Sequence, residues 1–184
     1  MTTESIGIPP GSPRAQSPRL ETPRLLIRPM LAHDLPALVA LWTDAEVTRY
    51  MGGPRERFAL SAALAEDLEP GTSPYSLWPV EERSTGALVG HCGILDKDVE
   101  GRLEFELVYV LARDFWGRGY ATEAALALKA HAFGTLGLTR LVALIDPGNA
   151  ASAAVARRAG MAWETDVVRP GGRVVGLYAV SAAP

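Results

Sequence analysis

The chain has 184 residues, 48% hydrophobic and 21% charged, with a net charge of −3. That mix is ordinary for a globular domain and excludes chain-wide disorder and fibrous classes; the slightly acidic balance removes any general electrostatic grip on nucleic acid. A single cysteine, Cys92, excludes a disulfide framework and a Cys-rich zinc site, and suits a reducing, cytoplasmic compartment.

Residues 1–19 read as a flexible Pro/Ser-rich tail, with Pro9-Pro10, Ser12-Pro13 and Ser17-Pro18 breaking regular structure. This stretch has no apolar core of the secretory kind. Residues 20–184 read as a single domain without repeats or a second linker. The longest apolar runs, such as Leu141–Ile145, fall far short of the ~20 residues a membrane span needs, so no membrane partner is expected.

Within the domain, Arg24–Arg28 is a short strand stopped by Pro29. Asp34 stands at the start of a helix with Leu35, Leu38, Val39 and Trp42 on one stripe. After the Met51–Pro54 turn, Leu60, Leu64 and Leu68 predict a second helix ending at Pro70-Gly71. Tyr75–Glu82 and Ala87–Leu95 form a hairpin around Ser84-Thr85-Gly86. Leu103–Leu111 is a third strand of that group, with Phe105, Leu107 and Tyr109 on one face and Glu104, Glu106 and Val108 on the other. Gly117-Arg118-Gly119 leads straight into a long helix, Tyr120–Phe133. Leu141–Ile145 suits a strand buried on both faces. Asn149 can cap a helix bearing Ser152, Val155 and Ala159, with Gly160 just beyond it. Met161–Val168 and Arg173–Val180 close the chain as a hairpin. The mixture predicts an α/β sheet of about seven strands with helices on both faces.

The strongest chemical signal is the strand–loop–helix over Tyr109–Thr122. A helix start offers unpaired N–H groups and the positive end of its dipole, and glycines let a large anion approach the backbone. Together they can seat a pyrophosphate, with Arg113 and Arg118 adding positive charge. Taken alone, the tripeptide could equally be a plain loop. It is neither a dinucleotide fingerprint, since Thr122 stands where a third glycine is needed, nor a GxxxxGK[ST] loop. His33, His91 and His131 are scattered without metal spacing, so no metal is expected. Cys92 reads as core, and Trp42, Trp78 and Trp163 as core or pocket wall.

The segment 106–124, ELVYVLARDFWGRGYATEA, resembles the acetyl-CoA motif of the GNAT N-acetyltransferase superfamily. Leu20–Pro29, LETPRLLIRP, and the phrase WGRGYATEA are similar to its ribosomal-protein N-acetyltransferase-like branch. Asn149-x-x-Ser152 followed by Arg158-Ala159-Gly160-Met161 resembles the family's next block. The likeness runs in order from Leu20 to Val180 and implies a GNAT-like acyl-CoA N-acyltransferase fold. It further implies that acetyl-CoA is the acetyl donor, entering a V-shaped parting between the third strand and Leu141–Ile145. The strand end Tyr109, Val110 and Leu111 would pair with the pantetheine arm. The backbone of Gly117, Arg118, Gly119, Tyr120, Ala121 and Thr122 would cradle the pyrophosphate. Asn149 would bond the arm, although a plain helix cap accounts for it equally.

The implied reaction is direct transfer of acetyl to a primary amine, either of a small molecule or at a protein N-terminus. Glu104 and Glu106 are candidate bases, and Glu106 matches the family's glutamate. Ser152 is the candidate acid, because the position where many relatives carry a tyrosine is Ala156; local capping is the plainer role for a serine there. That missing tyrosine also leaves open a catalytically silent acyl-CoA-binding sensor. Val108 stands where this branch commonly has Gly, and Met161 where an aromatic is common. A homodimer through the final hairpin is compatible with the sequence.

Overall fold

The computed structural model describes residues 18–68 and 73–183, and among them every apolar run read as a strand is one. Most of the expected tail, and the Pro70-Gly71 helix end, lie outside the described residues. The chain order is β1 (Leu20–Glu21), β2 (Leu25–Ile27), α1 (Leu35–Thr43), α2 (Ala45–Thr48), α3 (Arg57–Glu66), β3 (Ser76–Glu82), β4 (Leu88–Val99) and β5 (Arg102–Leu111). It continues with α4 (Tyr120–Gly134), β6 (Arg140–Ile145), α5 (Ala150–Arg158), β7 (Ala162–Val168) and β8 (Val174–Ser181).

The sheet has eight strands, in the order β1-β2-β3-β4-β5-β6-β8-β7. The eighth, β1, is too short to alternate visibly in sequence. It exists because Leu20 pairs with Ile27 around a turn in which the Thr22 hydroxyl accepts from the Leu25 N–H at 2.8 Å. The short helix α2 also escapes periodicity; it starts where the Asp44 carboxylate accepts from the N–H groups of Glu46 and Val47. Strand β4 runs four residues past Leu95, carried by pairing with β5 rather than by hydrophobicity, since Asp96, Lys97 and Asp98 are polar. Two glycines in β4 mark close approaches of its neighbours: a Cβ on Gly93 would lie 1.9 Å from the Ser76 carbonyl oxygen, and one on Gly90 2.2 Å from that of Val110.

Helices cover both faces. On one, Leu107 and Leu111 of β5 pack with Ala124, Ala125 and Leu128 of α4 and Ala153 and Ala156 of α5. On the other, Val110 meets Leu38, Val39 and Trp42 of α1 and Leu64 of α3. Cys92 is wholly buried, and burial pushes its thiol up to about 12, so it is core. Met161 is buried as well, while Trp163, expected in the core or a pocket wall, is 57% exposed and bonds Asp166.

His91 is buried on β4, where its Nδ1 accepts from the Trp42 indole N–H at 3.1 Å. Burial drives its pKa down to about 4, with the Leu77 carbonyl and the Asp34 charge only partly opposing. The ring must be neutral in the fold. Its contribution is therefore intact above the unfolded pKa of ~6.5 and is lost as pH falls from there toward 4, by about 3 kcal/mol in all. Urea unfolding between pH 7.5 and 4.5 is expected to show this slope. His91→Gln, which can still accept from Trp42, should flatten it.

Candidate active site

Among the described residues β5 and β6 are the only parallel neighbours, and their ladder is confined to Glu106 opposite Val142. Beyond that pair the two strands flank a cleft of about 870 Å³, lined by residues 106–111 of β5 and by Ala143, Leu144 and Ile145 of β6. A crossover requires parallel strands here, while β6 spends its pairing on β8 from Arg140 to Ile145. The parting expected from the family likeness is thus where the topology allows one.

Backbone direction along β5 follows from one bond. Ala112 N–H donates to the Val89 carbonyl at 2.9 Å, and the β4–β5 register is unbroken. In an antiparallel ladder the bonded residues alternate, so Val110 turns its N–H and C=O to β4, whereas Tyr109 and Leu111 turn theirs toward the parting. Of the three expected backbone partners, two offer polar groups to the cleft, and Val110 offers only surface. The Leu111 carbonyl already accepts from the Trp116 indole N–H at 2.8 Å.

The far wall of the cleft is the start of α4. Gly117 and Gly119 lie at φ 74° and 80°, the left-handed region that favours glycine. Gly119 is the N-cap and carries no side chain to satisfy the first N–H groups of this fifteen-residue helix. Gly117, Gly119, Tyr120, Ala121 and Thr122 all line the cleft, while Arg118 does not; its guanidinium lies over the Phe115 ring, 5.3 Å from the centroid. The Tyr120 hydroxyl donates to Glu82.

On the third side stands α5. Asn149 caps it, accepting from the Ser152 N–H at 3.0 Å, and both residues line the cleft. The Tyr109 hydroxyl donates to the Ser152 carbonyl at 2.9 Å, so a β5 side chain spans to α5 beneath the parting. Burial raises the Tyr109 phenol well above its usual range, which keeps it a neutral donor. Ala156 is fully buried and does not line the cleft.

The two candidate bases separate cleanly. Glu104 is buried and held by Arg140 at 3.1 Å, which also grips Glu164, and it does not line the cleft. Glu106 does line it. Burial raises its carboxyl pKa, opposed by the charges of Arg169 and Lys97 and by the Leu144 N–H. The cleft holds two other acids, and each is paired: Glu46 with Arg49 at 2.9 Å and Asp146 with Arg173 at 3.5 Å. Among the described residues Glu106 has no ion-pair partner.

Sequence reasoning missed the side chains of Tyr109 and Trp116. The family likeness offers Tyr109 for its backbone alone, and an indole at 116 gives no hint of a bond to a strand end five residues earlier. Arg49 and Tyr50 line the same cleft as Glu106. Arg49 Nη2 donates to the Tyr50 hydroxyl at 2.8 Å, and its guanidinium lies over the Tyr50 ring.

The sheet parts between two parallel strands beside a glycine-led helix start with no side-chain cap, a cleft that can take a long ligand bearing an anion. The family model of the acetyltransferase (GNAT) domain matches residues 24–162, and the chain belongs to that family as an acetyl-CoA-dependent acetyltransferase. It is 33% identical over 163 residues to the uncharacterized protein YkkB of Bacillus subtilis (strain 168), covering 87% of this chain and 94% of the relative. It is 31% identical over 172 residues to the uncharacterized N-acetyltransferase p20 of Bacillus licheniformis, covering 88% and 94%. The crystal structure of an acetyltransferase from Agrobacterium tumefaciens str. C58 superposes with a TM-score of 0.78 at 29% identity, covering 98% of this chain and all of that one.

Proposed function

We propose that the protein transfers acetyl from acetyl-CoA to a primary amine, of a small molecule or of a protein N-terminus, by direct attack in a ternary complex. The observation that carries this reading is Glu106. It is the last residue paired to β6 and the first of the parting, desolvated, and without an ion-pair partner among the described residues.

An acceptor amine is an ammonium below pH ~8–10 and must lose a proton before it can attack. Glu106 takes that proton. It shares its face of β5 with Val108 and Val110, the face covered by α1 and α3, so the amine approaches past Glu46, Arg49 and Tyr50. The donor lies on the α4–α5 side, its pyrophosphate on the N–H groups from Gly117 to Thr122 and its arm beside Tyr109, Leu111 and Asn149. The amine nitrogen bonds the thioester carbonyl carbon. The resulting oxyanion accepts from a β5 backbone N–H that faces the parting. The C–S bond then breaks as the Ser152 hydroxyl passes a proton to the departing CoA sulfur and takes up the second proton that the tetrahedral nitrogen sheds, so the amide, the free thiol and an intact serine remain. A thiolate with a pKa near ~8.5 needs that acid less than an alkoxide would. The buried Cys92 thiol suits a reducing cytoplasm.

Thermal unfolding with acetyl-CoA and with CoA tests the donor half. At 100 times its Kd a ligand of the folded state adds about 2.7 kcal/mol, or roughly 5–10 °C for a chain of this size. A thiol-release assay over peptide N-termini, polyamines and free amino acids then tests the acceptor. No shift at millimolar donor overturns the reading.

A further inference from the structure

We propose that Arg24 is a positioning residue that shapes the start of α4 for a pyrophosphate and so sets the preference for a phosphorylated donor. The inference rests on the reading that the donor's pyrophosphate lies on that helix start.

Arg24 sits in the turn between β1 and β2, 94 residues before the glycine loop, and reaches across to grip it. Its Nη1 donates to the Arg118 carbonyl at 2.9 Å. Its Nε and Nη2 meet the Glu123 carboxylate at 2.7 and 2.6 Å, and its backbone N–H adds a third bond to Glu123 at 2.9 Å. Its guanidinium lies 4.5 Å from the centre of the Tyr120 ring. A Cβ on Gly119 would come within 3.5 Å of its Nη2. Arg24, Arg118 and Glu123 do not line the cleft, whereas Gly117, Gly119, Tyr120, Ala121 and Thr122 do. Arg24 therefore holds the loop from behind.

The physical consequences are specific to an anion. Glu123 stands in the first turn of α4, where a carboxylate repels a second negative group arriving at the same N–H cluster. Arg24 and the Thr22 hydroxyl, which donates to it at 2.6 Å, neutralise and fix that carboxylate. They, together with burial that works the other way, leave its pKa lowered. A carbonyl at Arg118 turned into the cleft would present its oxygen to the phosphates. The bond to Arg24 keeps that oxygen on the rear side, so the loop shows the ligand N–H groups. The fork of a guanidinium can hold a carboxylate and a carbonyl at once, which a lysine's point charge does less well.

The test uses two probes: CoA, and pantetheine, which has the thiol arm without pyrophosphate or nucleotide. Both are titrated by calorimetry into wild type, Arg24→Gln, Arg24→Lys and the double variant Arg24→Gln/Glu123→Gln. The reading is the ratio of the two dissociation constants within each protein, which cancels any change in the folded fraction. Arg24→Gln should shrink the preference for CoA about tenfold. Arg24→Lys should retain part of it, and the double variant should recover part by removing the stranded carboxylate. A ratio unchanged in Arg24→Gln, with both probes weakened alike or neither weakened, overturns the role of Arg24. A wild-type protein that binds CoA no better than pantetheine overturns the underlying pyrophosphate reading.

Discussion

Glu106→Gln is expected to lower kcat by about 10²–10⁴-fold, the range that a positioned general base contributes, while leaving the Kd for acetyl-CoA close to that of wild type. Glutamine keeps the shape and one acceptor oxygen but cannot take the amine's proton. The pH profile supplies the second half of the result. Burial raises the Glu106 carboxyl, and the Arg169 and Lys97 charges do not fully reverse it. The active form is the carboxylate. The acid limb of kcat/KM should therefore lie above the ordinary carboxylate range, with activity rising as pH passes through it. That limb should vanish in the variant. Glu104→Gln is the control: its partner is Arg140 on β6, outside the cleft, and the acid limb should stay. If Glu104→Gln removes the limb and Glu106→Gln does not, the base has been misplaced.

Why Glu106 rather than Glu104 could be preferred from sequence only by family likeness is a matter of range. The two sit on one strand face at period 2, and local pattern treats them alike. What separates them is Arg140, 36 residues on, brought beside Glu104 by β6 in the sheet. Elements whose signal is local were legible: the stripe of α1, the glycine-led start of α4, the Asn149 cap, and the Arg169–Gly172 hairpin turn. Elements made by a distant partner were not. Strand β1 exists through Ile27, the far half of β4 through β5, and the brace on α4 through Arg24. Asp34 was legible in part. It precedes α1 as expected, yet makes no side-chain cap. Its carboxylate instead binds the buried Arg28, six residues earlier, and the Leu31 N–H, a choice that helix-start patterning does not reveal.

That diversion predicts the largest stability effect. Arg28 and Asp34 are both buried, joined by Nη1–Oδ2 and Nη2–Oδ1 bonds of 2.7 and 2.9 Å. Arg28 Nε also donates to Glu81 at 3.0 Å, Arg28 Nη1 to the Pro29 carbonyl, and Leu31 N–H to Asp34 at 2.8 Å. Burial alone would raise the Asp34 carboxyl, but the Arg28 bonds, the Leu31 N–H and the neighbouring charge overcome it and hold it below its usual value. The stabilisation is thus present above the unfolded carboxylate pKa and is lost as pH falls below it. Asp34→Ala strands the guanidinium with only part of its donors met, and the expected cost is about 3–5 kcal/mol, enough to lower Tm by roughly 10 °C. The variant that discriminates is the pair Arg28→Met/Asp34→Leu. Apolar side chains of similar volume remove both charges together, and a buried ion pair offsets little more than its own desolvation. The double variant should therefore be more stable than Asp34→Ala at pH 7, with a flatter acid limb in its unfolding free energy. If the double variant is the less stable, the pair contributes net energy rather than geometry, and the entry into α1 depends on the charges themselves.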